Sequence, residues 1–154
     1  IGDVGYHSSL SRKDITNRMI PFHKLSQWMT YSLIEPLEEA GVRVINLDNL
    51  TGLPEYRNGG LFLDTKVLKI TNAQDLLTVH QIKSSLVVEW RALTVALLDK
   101  LAEEVRRRTG NDATSLPLAS VLQGGTWSAG RRIASQLRKG GTPPLSLQSS
   151  GTIF

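Results

Sequence analysis

The sequence predicts a mainly α-helical fold, with a short β-hairpin or extended segments around 42–70. Three observations predict it. Apolar residues recur mostly at steps of three and four over Pro21–Ala40, the spacing that gathers them on one helix face, while Ala73–Arg108 is apolar on several faces and Trp127–Lys139 reads as a further helix. Strand-like patterning is confined to Val42–Leu47 and to a loose alternation over Leu61–Ile70. Between these two lies Leu47–Asp64, too polar for a core strand and too broken by glycine and proline for a helix.

Taken in order, residues 1–16 are polar and glycine-bearing and read as extended or irregular. Pro21 can open a helix, where its missing N–H costs nothing. The stripe that follows is Phe22, Leu25, Trp28, Met29, Leu33 and Leu37, with Pro36 predicting a kink or break and Gly41 a stop. Thr71 or Asn72 can cap the next helix. The long segment Ala73–Arg108 is apolar on several faces, which predicts a buried central helix, or two joined near Ser84 and Ser85. It ends in Arg106, Arg107 and Arg108. Glu103–Arg107 and Glu104–Arg108 fall in the favourable i,i+4 order, and Gly110 follows as a stop. Leu116–Leu122 reads as a short helix broken by Gly124-Gly125-Thr126. Thr126 then caps a helix over Trp127–Lys139, and the tail Leu145–Phe154 is extended.

A chain of 154 residues is long enough for one domain with its own core, and 40% hydrophobic with 21% charged residues is ordinary for a globular protein. No run approaches the roughly 18 apolar residues of a membrane span. The absence of cysteine excludes disulfides, thiolate metal sites and cysteine nucleophiles, and fits a cytoplasmic setting. The net charge of +4 suits an anionic partner. Only 6% of residues are aromatic and no nucleic-acid reading motif is present, which argues against nucleic acid as that partner.

Two stretches carry the material for chemistry. Leu47–Asp64 holds Asp48, Glu55, Tyr56 and Arg57. A carboxylate there can activate water or stabilise a cationic sugar transition state, and Arg57 can hold a carboxylate ionised or clamp a phosphate. The alternative is a turn residue at Asp48 and a surface Glu55–Arg57 pair. Gly124–Arg132 leads two glycines into a helix start, where free N–H groups can receive an anion with Arg131 one turn inside. The alternative is a simple loop and cap. Glu89-Trp90-Arg91 lies inside the long helix and reads as an ion pair or cation–π contact in the core. His7, His23 and His80 are scattered, with no HExxH, so no metal site is expected. Gly-x-Ser-x-Gly does not occur.

Four blocks, Pro21–Trp28, Asn49–Gly60, Glu89–Asp99 and Gly124–Trp127 with Gly130-Arg131, resemble the uracil catabolism protein 4 family in the family's own order. The resemblance implies a role in pyrimidine degradation. It also implies that this chain, which begins with Ile, is the C-terminal part of a longer protein whose N-terminal half would be its partner. Ser149–Phe154 is similar to the family's ending, with Ser150 where an acidic residue is expected. Leu50-Thr51 and Glu55-Tyr56-Arg57 are similar to the Leu-Thr and Asp-Tyr-Arg of queuosine salvage N-glycosidases, with Glu55 matching the Asp. That likeness implies a helical, DNA-glycosylase-like fold.

Together the resemblances imply hydrolysis of an N-ribosidic bond in a phosphorylated, ring-opened uracil nucleotide of ribosylurea type, with no cofactor. Asp48 or Glu55 would act on the bond, with Arg57 orienting carboxylate or phosphate. Tyr56 and Trp127 would wall the sugar, His23 would contact the substrate, and Gly125, Thr126 and Arg131 would receive the phosphate. The alternative is a non-catalytic subunit that binds a ligand or partner of the same pathway.

Overall fold

The structure, a computed structural model, describes residues 2–148. The expected extension of the tail beyond Gln148, and Ser150 within it, lie outside the described residues. The fold is mainly α. Strands β1 (Val4–Tyr6) and β2 (Met19–Pro21) pair antiparallel, and β3 (Val79–Gln81) and β4 (Ser146–Gln148) pair in parallel. The helices are α1 (Lys24–Glu39), α2 (Tyr56–Asp64), α3 (Ser85–Thr109), α4 (Leu118–Ser120) and α5 (Ser128–Leu137).

The strands do not lie at 42–70, where extended structure was expected. Val42–Leu47 forms no strand. Leu61–Asp64 belongs to α2, and the turn after it is left-handed at Lys66. Pro21 does not open α1, because it pairs with Val4 in β2, and the helix begins three residues later behind a left-handed His23. Pro36 does not break α1. It sits in the last turn, where its carbonyl accepts from the Ala40 N–H at 3.2 Å, and Gly41 follows at φ 81°.

The apolar segment after Asn72 divides. Asn72 caps a 3₁₀ turn, Ala73–Leu76, by accepting from the Gln74 N–H at 3.1 Å. His80 in β3 is buried between exposed Val79 and Gln81, an alternation of period two that belongs to a strand. Only from Ser85 does the helical period take over. Glu104 takes both Arg107 and Arg108, which hold its carboxyl down at about 2, and Gly110 closes α3 at φ 70°.

The core is built on α3. Val87 and Trp90 pack with Leu145, and Leu98 packs with Phe62 and Leu122. Helix α2 lies between α3 and α5 and contains the two glycines that were expected to break it. Gly59 lets the backbone close on α3, where a Cβ would meet Thr94 Oγ1 at 2.7 Å and Trp90 Nε1 at 2.8 Å. Trp90 Nε1 donates to the Gly59 carbonyl at 3.0 Å. On the other flank, a Cβ on Gly130 of α5 would stand 2.2 Å from the Arg57 carbonyl oxygen. Each helical glycine sacrifices about 1 kcal/mol of propensity; close packing on both flanks offsets it.

Candidate functional site

Glu55 is the N-cap of α2. Its carboxylate accepts from the Arg57 N–H at 2.8 Å and the Asn58 N–H at 2.5 Å, satisfying donors that every helix start leaves open. Glu55 is only 8% exposed, yet it lines a cavity of about 670 Å³. Burial raises its carboxyl above the ordinary range, opposed by the two backbone N–H groups and by the charges of Lys24 and Arg57. Lys24, the first residue of α1, lines the same cavity. Burial pulls its ammonium down, and the Glu55 charge opposes that. In this pocket, which Glu35 of α1 also lines, Glu55 and Lys24 are an acid and a base, each pushed toward its neutral form by burial and toward its charged form by the other.

The walls are largely apolar. Trp28 of α1 and Trp127, the residue just before α5, face the cavity, with Leu25, Leu53 and Leu122 also on its wall. Tyr31 donates its hydroxyl to the Thr51 carbonyl at 2.8 Å, and Gln27 accepts from the Thr51 N–H at 3.2 Å, so α1 fixes the loop that leads into Glu55. Burial, with Asp99, pushes the Tyr31 phenol up to about 12 and keeps it a donor. Behind Glu55, Asn58 is fully buried. Its amide donates to the Leu53 carbonyl at 3.3 Å, and its carbonyl accepts from Thr126 Oγ1 at 2.8 Å.

The α4–α5 rod explains how Leu122 and Trp127 share a wall. Gly124 and Gly125 do not interrupt a helix. Val121–Trp127 is a π-helical stretch joining α4 to α5. Residues five apart fall on one face of a π turn, whereas in an α-helix they would point well apart. Leu122, Gln123 and Trp127 therefore all reach the pocket.

The expected site residues are divided by this geometry. Glu55 and Trp127 line the pocket, with Thr126 behind through Asn58. Arg131 is one turn on, its guanidinium 5.5 Å from the Trp127 ring centroid. Gly125 lies in the π stretch rather than at a helix start, so its N–H does not form the open anion cradle expected of it. It borders a separate groove with Arg132 on the other side of the rod.

Four other residues point elsewhere. Asp48 is exposed in the 3₁₀ turn Leu47–Asn49. Tyr56 packs against the Val87–Trp90–Leu145 cluster. Arg57 stacks on Tyr56 at 4.7 Å and donates to the Gly141 carbonyl at 2.7 Å, which makes it a brace between α2 and the turn after α5. His23 is exposed at the left-handed turn before α1, its ring beside Gly2.

Lys24 was missed from sequence, although a signal was present. A cation in the first turn of a helix opposes the macrodipole. Of Glu89-Trp90-Arg91, Trp90 and Arg91 are buried in the core, where Arg91 makes both kinds of contact expected, while Glu89 is exposed. Arg91 forms a two-pronged ion pair with Asp3 and lies 4.1 Å over the Phe22 ring. Among the described residues no group of three or more His, Asp or Glu side chains converges as a metal site, and no helix is long and apolar enough to cross a membrane.

The chain is 43% identical over its full length to Protein urg3 of Schizosaccharomyces pombe (strain 972 / ATCC 24843), covering 38% of that protein. It is 40% identical over 88% of its length to Uracil catabolism protein 4 of Lachancea kluyveri, covering 34% of it. It thus spans little more than a third of these relatives. No solved structure matches it. The family described as "Protein of unknown function (DUF1688)" matches residues 1–154, and the chain belongs to that family.

Proposed function

We propose that this chain serves uracil catabolism, as the name of its Lachancea kluyveri relative states for that protein, by hydrolysing an N-ribosidic bond in a phosphorylated, ring-opened uracil nucleotide of ribosylurea type. The observation that carries the reading is the buried, helix-capping carboxyl of Glu55 in a cavity of about 670 Å³ walled by two tryptophans and holding one lysine. Urea is a poor leaving group unless it is protonated. A carboxyl raised by burial can give that proton as the C1′–N bond breaks. The resulting carboxylate then faces the oxocarbenium-like ribose and takes a proton from the water that adds at C1′. The products are urea and ribose phosphate, and Glu55 ends as it began.

In this proposal Lys24 receives the phosphate, with Arg131 adding positive charge at the rim beside Trp127. Trp28 and Trp127 shield the sugar. The helical fold accords with the glycosylase-like architecture that the queuosine salvage resemblance implies. The test is the intact natural polypeptide with ribosylurea 5′-phosphate. Urea and ribose 5-phosphate should appear in equal amounts, and no urea under any condition sinks the proposal.

One observation favours the second reading, a non-catalytic subunit. Leu25, Trp28, Met29, Leu33 and Leu37 of α1 are all exposed, and the relatives carry much additional chain. Under that reading, Glu55→Gln leaves pathway turnover unchanged.

A further inference from the structure

We propose that Arg91, which does not line the pocket, is the positioning residue that fixes Lys24 relative to Glu55. This inference rests on the reading of Glu55 as the acid–base group. Arg91 is 2% exposed in the second turn of α3, and its guanidinium reaches two segments at once. Nη1 and Nη2 donate to Asp3 Oδ1 and Oδ2 at 2.8 and 2.7 Å. Asp3 Oδ2 also accepts the backbone N–H of Lys24 at 3.2 Å, and the Asp3 carbonyl accepts the N–H groups of Phe22 and His23 at 2.9 and 3.2 Å. Through Asp3, then, Arg91 sets where α1 begins.

Arg91 Nε donates to the Pro54 carbonyl at 3.3 Å. Pro54 is fully buried and immediately precedes Glu55. One planar group thus holds the starts of α1 and α2, the two helices that bring Lys24 and Glu55 to the cavity. Its face against Phe22 fixes its plane.

Stability alone is a weak reason for such an arrangement, since a buried ion pair often contributes little net stability over apolar residues of the same volume. What an apolar replacement cannot supply is the geometry. A lysine keeps the charge but lacks the fork and the separate Nε donor, so it cannot hold Asp3 at two points and Pro54 at a third.

The test is Arg91→Lys in the intact natural polypeptide, with Asp3→Asn as a second variant should the first not fold. Two readouts are taken on folded protein: kcat and KM for urea release from ribosylurea 5′-phosphate, and the titration of a ¹³C-labelled Glu55 carboxyl by NMR. A misplaced supporting contact typically lowers turnover roughly 10- to 100-fold. We expect that loss in kcat, a higher KM, and a Glu55 titration moved further up, because the capping N–H groups and the Lys24 charge that oppose burial are drawn away.

A merely structural Arg91 lowers the yield of folded protein but moves neither quantity per folded molecule. Folded Arg91→Lys with wild-type kcat and wild-type Glu55 titration overturns the inference. If wild type releases no urea but the variant still shifts the Glu55 titration, the positioning role stands and the proposed reaction falls.

Discussion

Asp48 and Glu55 stand seven residues apart in one polar stretch, and by residue type and spacing they are equivalent candidates. Their surroundings are opposite. Asp48 faces solvent in a short 3₁₀ turn, while Glu55 is sealed against the start of α2 with both carboxylate oxygens engaged and a lysine sharing its cavity. The contrast extends to the halves of the stretch around them. Around Asp48 the residues are exposed or half-buried; from Gly52 onward they descend into the packing of α2 against α3 and α5. A carboxyl acquires useful acidity from burial and neighbours, and only the second half of the stretch offers them.

The sharpest way to break this comparison is to neutralise each carboxyl in turn. Glu55→Gln should lower urea release about 10²- to 10⁴-fold, the range for a lost acid–base group. Asp48→Asn should leave it within about twofold, as expected of an exposed group outside the pocket. Steady-state assays on both variants check the pair.

The next effect tests the buried half as packing. Gly59→Ala should gain about 1 kcal/mol of helix propensity if α2 were free of neighbours. Its new methyl would instead press on Thr94 and Trp90. A net loss of about 1–3 kcal/mol in urea unfolding is expected, because overpacking outweighs propensity here. A net gain would show that α2 does not approach α3 this closely.

A smaller effect comes from linkage. Burial raises the Glu55 carboxyl in the fold above its ordinary 4.5, so the native state holds that proton more tightly than the unfolded chain. The contribution is fully present below pH 4.5 and is lost as pH rises through the native value. Unfolding free energies measured from pH 4 to 7 should fall less steeply over that window in Glu55→Gln than in wild type. The smallest effect is the stability of Asp48→Asn, expected within about 0.5 kcal/mol of wild type in the same denaturation experiments.

The helical class was legible because it rests on periodicity, and α1, α3 and α5 each carry a stripe of apolar residues. What was not legible came from contacts distant in sequence. Gly59 and Gly60 look like helix breakers until Trp90, Thr94 and Pro144 are placed against them. Gly124 and Gly125 look like a turn, yet they are absorbed into a π stretch within one continuous rod. In the site, Glu55 was visible as one of two candidate carboxyls, and apart from the Glu-Tyr-Arg likeness nothing in its residue type or spacing distinguished it from Asp48. Arg57 and Tyr56, adjacent to it, turn away because successive residues on a helix point in different directions, and theirs face Gly141 and Leu145. Lys24 enters only once β2 and Asp3 set the first turn of α1.

The central claim is that the Glu55 cavity receives a phosphorylated ribosyl group. A crystal structure of the intact natural polypeptide with ribose 5-phosphate tests it most directly. The sugar is expected between Trp28 and Trp127, with C1′ toward the Glu55 carboxyl and the phosphate on Lys24. Ribose 5-phosphate bound instead beside Asp48, or in the groove along Gly125 and Arg132, would contradict it.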